Sequence, residues 1–193
     1  HVVEAATTTV TNPLAISLAA ETIRLVHQWL PAVLSNPADL KARHQLCYAA
    51  MQAGVAFDNG LLHFTHALEH PLSAVSPDLS HGLGLAVLLP AVILECYPAC
   101  PDVLAHILAP MAPGLKGLPE EAPKAAKAVE QWLASVGVPQ KLEDIGVTAK
   151  DIEKFCDLVE QTPSLGLLIS VAPVEGTRER VARIYTNSLK PLA

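Results

Sequence analysis

Histidine can serve as a metal ligand or as a general acid or base near neutral pH. Three of the eight in this sequence, His63, His66 and His70, stand three and four positions apart. On a helix of about 3.6 residues per turn all three project toward one side. His81 follows after a stretch short enough to fold back onto the same face, so a metal site could draw on two neighbouring elements. Spacing leaves the ligand pair open. An i, i+4 pairing nominates His66 with His70, whereas an i, i+3 pairing nominates His63 with His66. It also leaves open a helix face whose imidazoles only hydrogen-bond neighbouring carbonyls. His27, His44 and His106 lie in polar-faced stretches and are expected to be solvated. Cys47, Cys96, Cys100 and Cys156 fit no zinc spacing and are expected to be idle thiols of a reducing compartment, the cytoplasm.

The elements that must position these histidines read as helices. A 3.6-residue period runs from about Pro13 to Leu34, with Asn12-Pro13 as cap and first turn. A second helix is expected from Asn36-Pro37 to about Phe57, and a third from Leu61 to about Leu72, which Pro71 should end or kink. After a loop from Ser73 to Ser80, His81-Gly82 opens an apolar helix reaching about Leu94. It carries Pro90 inside and too few polar residues for an exposed position. Further helices are expected near Asp102–Met111, from about Glu120 to Val136, after the capping box Thr148-x2-Asp151, and from about Thr177 to Leu189.

Composition agrees with an all-α fold. The 193 residues are 51% hydrophobic but only 4% aromatic, and Ala and Leu recur throughout, which favours helices over strands. One domain is expected from the length. The net charge of -6 and the lack of a basic run argue against nucleic acid and anionic membrane surfaces as partners. Glu, His, Asp or Pro interrupts each apolar stretch, so none is expected to reach the roughly 20 residues that span a bilayer, and the chain is expected to be soluble. The start, His1-Val2-Val3-Glu4, has no initiator Met, basic segment or apolar leader and reads as a cut.

Two longer motifs frame the histidines. Asp58-Asn59-Gly60-Leu61-Leu62-His63-Phe64-Thr65-His66-Ala67-Leu68-Glu69-His70-Pro71-Leu72 is followed by Ser80-His81-Gly82-Leu83-Gly84-Leu85-Ala86-Val87-Leu88-Leu89-Pro90. Together they resemble the metal-site signature of the iron-containing alcohol dehydrogenases, a helix reading H-x3-H-x-L-G and a following helix that opens P-H-G and ends in L-L-P. Ser135 to Ile152 is similar to that family's G-I-P-x2-L-x2-L-G-V segment. His1-x2-Glu4-Ala5 with Asn12-Pro13 is similar to its H-A-I-E-A-Y segment and following turn. The resemblance therefore spans nearly the whole chain.

It implies the helical bundle of the dehydroquinate synthase-like, iron alcohol dehydrogenase C-terminal domain. The implied metal ligands are His1, His66 and His81, with a fourth, an Asp, four positions before His1. His70 matches a catalytic histidine beside the metal that contacts the nicotinamide and substrate, and Phe57 matches an aromatic of the substrate pocket. Fe2+ is the implied metal, with Zn2+ able to compete for the same donors. NAD or NADP would bind through an N-terminal domain, since no G-x-G-x-x-G turn stands in these residues, and this chain alone is expected to be inactive. The implied reaction interconverts an alcohol and its aldehyde or ketone. The chain's expected partners are that small molecule, its own cofactor domain and, in a homo-oligomer, a second copy of itself.

Three departures concern the loop before the second motif. It is one residue longer than the family pattern, Ser80 replaces a Pro, and Ser73 replaces a Gly. A glycerol dehydrogenase-like or dehydroquinate synthase sibling fits the motifs less well. A hydroxyacid-oxoacid transhydrogenase is separable by product analysis with a 2-oxoacid, and a non-catalytic helical module by lack of turnover in the full-length enzyme.

Overall fold

Helix starts in this chain follow side chains that can accept from a free backbone N–H. The computed structural model describes residues 1–193, arranged as ten α-helices, four short 3-10 turns and no strand. Asn12 accepts from Ala15 N at the start of α2 (Pro13–Ser35), and Asp39 from Ala42 N at the start of α3 (Leu40–Gly60). Ser80 caps α5 (His81–Cys96), and Thr177 caps α10 (Arg178–Ser188). Each supplies an acceptor to one of the donors that a helix leaves unpaired in its first turn. Two short helices escape the sequence periods because neither is long enough to repeat one: α1 (Val2–Thr7) and α9 (Pro163–Ser170). Completing the order are α4 (Phe64–Val75), α6 (Pro101–Ile107), α7 (Ala122–Ser135) and α8 (Ile152–Gln161).

The third expected helix is displaced. It begins at Phe64, and Pro71 lies inside it, so the helix continues to Val75. Proline removes one amide donor and frees a carbonyl one turn back. The carbonyl freed is that of Ala67; next to it the Tyr185 hydroxyl donates to Leu68 O at 2.7 Å, so α10 is tied to α4 in the same turn. The helix expected near Asp102–Met111 stops at Ile107, and the Thr148–Asp151 capping box opens a 3-10 turn that leads into α8.

Helix α5 is the axis of the fold. Val87, Leu88, Ala91 and Val92 belong to a core shared with α4, α8 and α10. Ile93, with Leu89 and Leu94 packed alongside, belongs to a second core shared with α1, α2, α6 and α7. A helix with a core on each side must be apolar nearly all round. For that reason the stretch His81–Ala99 is, by length and composition, long and apolar enough to cross a membrane, contrary to the expectation that no segment would be. Half of that stretch is buried within the fold. Its first residues emerge at one end, and there His81 meets α4.

Candidate metal centre

Two glycines allow the histidine-bearing helices to approach. A Cβ on Gly84, in the second turn of α5, would lie 2.7 Å from Glu69 Cγ, so only glycine leaves room for this carboxylate beneath His81. A Cβ on Gly60 would strike the carbonyl of Ala5 in α1. The turn after Gly60 passes through Leu61, the only non-glycine residue with positive φ, at 63°. Helix α1 is stitched to this turn: Thr8 Oγ1 donates to Gly60 O, and Thr7 Oγ1 pairs with His63 Nε2 at 2.9 Å.

On this frame the structure brings together His1, His66, His70 and His81. The ring centre of His66 lies 4.6 Å from that of His1, 5.5 Å from that of His81 and 6.4 Å from that of His70. His70 and His81 are 5.8 Å apart, and Phe57 lies 5.2 Å from His1. His63 is not part of the group. It is fully buried at the start of α4 against Thr7 and Glu4, where burial pushes its pKa below the ordinary value against the pull of Glu4. His44 and His106 are exposed away from the cluster, and His27 stacks 6.2 Å from Trp132. The cysteines are unpaired thiols; burial raises Cys96 well above its ordinary value and Cys100 to about 12, so neither is a ready nucleophile.

Two carboxylates that the histidine spacing does not announce complete the arrangement. Glu4, 1% exposed, accepts from His66 Nδ1 and from the backbone N–H of Thr65. Glu69, fully buried, accepts from His81 Nδ1 and from Ser73 Oγ. Burial alone would raise the Glu4 carboxyl, but His63 and the hydrogen bond from His66 outweigh it and hold the pKa at about 2. In each pair a carboxylate oxygen accepts from Nδ1–H, which in a neutral imidazole leaves the Nε2 lone pair free. For His66 that Nε2 is buried without any partner. A carboxylate behind an imidazole whose other nitrogen is left open is the arrangement found behind metal-ligating histidines. Imidazoles sharing one ion at about 2.1 Å have ring centres roughly 5 Å apart, and the spacings of His66 from His1 and His81 fit.

Ligand atoms of Glu69, His70 and His81 also lie within 4.8 Å of one another. That trio is the weaker candidate, because both Glu69 oxygens are already engaged by Ser73 and His81. His70 is exposed at the edge of the group, with its pKa lowered by partial burial and by the neighbouring imidazoles against the pull of Glu69.

Beside His1 and His66 opens a cavity of about 250 Å³ walled by α2, α5 and α7. A larger hollow of about 510 Å³ lies between α8, α9 and α10. It contains no histidine, and its Arg178 is already paired with Glu160, so it offers no comparable set of donors.

The chain is similar to known proteins along nearly its whole length. Residues 1–189 match the model of the Fe-containing alcohol dehydrogenase family, C-terminal. The chain is 54% identical over 188 residues to the long-chain primary alcohol dehydrogenase of Thermoanaerobacter ethanolicus, covering 97% of this chain and 47% of that protein. It is 33% identical over 190 residues to the 1,3-propanediol dehydrogenase of Klebsiella pneumoniae, covering 97% and 48%. The alcohol dehydrogenase from Oenococcus oeni superposes with a TM-score of 0.86 at 28% identity, over 97% of this chain and 48% of that one. The chain thus spans about half the length of the relatives it matches.

Proposed function

The chain belongs to the Fe-containing alcohol dehydrogenase family, and from this we propose that it forms the metal-holding half of an NAD(P)-linked enzyme that interconverts an alcohol and its aldehyde or ketone. The observation that carries the reading is the pair of carboxylate-backed imidazoles, His66 on Glu4 and His81 on Glu69, gathered with His1 beside an apolar cavity.

In this reading His1, His66 and His81 hold Fe2+ or Zn2+, whose bound form supplies Lewis acidity toward the oxygen of the alcohol. The donor set is hard to borderline and suits both ions. Glu4 and Glu69 keep the two imidazoles in the tautomer that presents Nε2. His70 stands beside them with a neutral ring and solvent at its back, so it can take the proton of the alcohol and pass it to water. Phe57, against His1, gives the substrate an apolar wall and helps to exclude water. The nicotinamide cofactor would be carried by the half of the relatives' length that this chain does not span.

Metal content by elemental analysis tests the site. It would be measured on this chain and on the full-length protein, each purified without oxygen. About one Fe or Zn per full-length chain is expected, lost in His66→Ala and His81→Ala. His70→Ala is expected to keep the metal while turnover falls on the order of 10²-fold or more, the scale of a general acid–base contribution. Loss of metal from His70→Ala, or retention in the other two variants, would reject these roles.

A further inference from the structure

We infer that the exposed side of α3 is a self-complementary surface that pairs with a second copy of this chain in antiparallel register. Lys41, His44, Tyr48, Met51, Val55 and Asp58 are all exposed, and they follow one another at alternating steps of three and four. That is the 3.5-residue repeat of a seam between two helices, which keeps all six on one side of α3. The face that α3 buries against α1 and α2 is a different one, made of Ala42, Ala49, Gln52, Ala56 and Gly60. Tyr48, Met51 and Val55 are 43%, 56% and 42% exposed. Single exposed apolar side chains are ordinary, whereas three in register at the centre of one stripe mark a contact surface.

The ends of the stripe decide what it contacts. Lys41 stands in the first turn of α3 and Asp58 in the last, and neither pairs with an opposite charge of its own chain. Lys41 lies over the Trp29 ring instead. A two-fold axis between Tyr48 and Met51 sets those two side chains against each other across the interface, His44 against Val55, and Lys41 against Asp58, each pair twice. The stripe is therefore its own complement, as an isologous dimer requires. A parallel pair would instead place Lys41 against Lys41 and Asp58 against Asp58, and like charges so placed repel. From Lys41 to Asp58 the seam is about 25 Å long. One helix pair of that length belongs with interfaces below about 1,000 Å², so a reversible, concentration-dependent dimer is expected. None of the six residues belongs to the proposed metal centre, so the inference stands apart from the dehydrogenase reading.

The test cross-links the full-length protein. With Cys47→Ser removing the exposed native thiol of α3, His44→Cys and Val55→Cys are introduced together. Within one chain these positions are about 16 Å apart along the helix, beyond the Cα separation of about 7 Å that a disulfide spans. A bond between them therefore joins two copies. Mild oxidation is expected to give a covalent dimer in the double variant and little or none with either cysteine alone, because the two-fold axis keeps equivalent positions about 16 Å apart as well. Lys41→Glu or Asp58→Lys should lower that yield about fivefold, the scale of losing exposed ion pairs, and the two together should restore it. No covalent dimer, as when another part of the protein covers α3, overturns the inference. So do equal yields from the single-cysteine proteins, a yield that the charge reversals leave unchanged, or one that their combination fails to restore in a protein with the wild-type circular dichroism spectrum.

Discussion

A neutral imidazole offers one lone pair, and the partner of its other nitrogen decides where that lone pair points. In His66 and His81 this partner is a buried carboxylate, so Glu4 and Glu69 serve the candidate centre without touching what it would hold. Glu4→Gln and Glu69→Gln keep the shape and remove the charge. Each is expected to weaken metal binding about 10- to 100-fold in a chelator competition, the usual scale for such supporting groups. Leu61 is a different kind of residue-scale constraint. Its φ of 63° and ψ of -178° are a conformation that glycine adopts freely and that a side chain opposes. Leu61→Val should lower stability by about 1 kcal/mol or more in urea unfolding, because a β-branched side chain tolerates positive φ least. Leu61→Gly should not.

At the scale of elements, α5 holds one end of the site and is itself held by α10. Arg183 Nε and Nη2 reach the two oxygens of Glu95 at 2.6 and 2.8 Å, and Arg180 Nε adds a contact at 3.2 Å. The hydrogen bond from Arg183 is the main cause that lowers the Glu95 pKa below its ordinary 4.5. A carboxyl depressed on folding stabilises the fold above its unfolded pKa, and that stabilisation is lost as pH falls through the folded value. Unfolding free energy should therefore decline as pH drops below about 4.5, the ordinary value. Glu95→Gln should be less stable at pH 7 and show a shallower acid decline in denaturant titrations at several pH values. An equally steep decline in the variant would place the acid sensitivity elsewhere.

For the whole molecule, the histidines proposed as ligands come from three places: His1 at the start of α1, His66 in α4 and His81 at the start of α5. Those helices belong to both cores, α4 to one, α1 to the other, and α5 to each. An ion held by all three would cross-link the two halves of the fold. Binding to the folded state alone stabilises it by about 2.7 kcal/mol at free metal 100-fold above Kd. The melting temperature should accordingly rise with Zn2+ or Fe2+, fall on chelation, and cease to respond in His66→Ala. A metal-independent melting temperature in wild type would count against a shared site.

Local chemistry wrote much of this into the sequence. The cap at Asn12, the apolar run of α5 and the His66–His70 spacing depend on neighbours within a turn or two, and periodicity reports such neighbours directly. The long motifs around His66 and His81 also carried the family. Tertiary structure alone decided which histidines stay buried, as His63 does, and which gather. Glu4 and His66 are 62 positions apart, and no helical period relates them. Pro71 illustrates the same division: sequence forecasts a break, and the Tyr185 hydroxyl, 117 positions from Leu68, ties that turn to α10. The cavity beside His66 was illegible for the same reason. Its walls come from α2, α5 and α7, and such a hollow exists only once distant helices have packed.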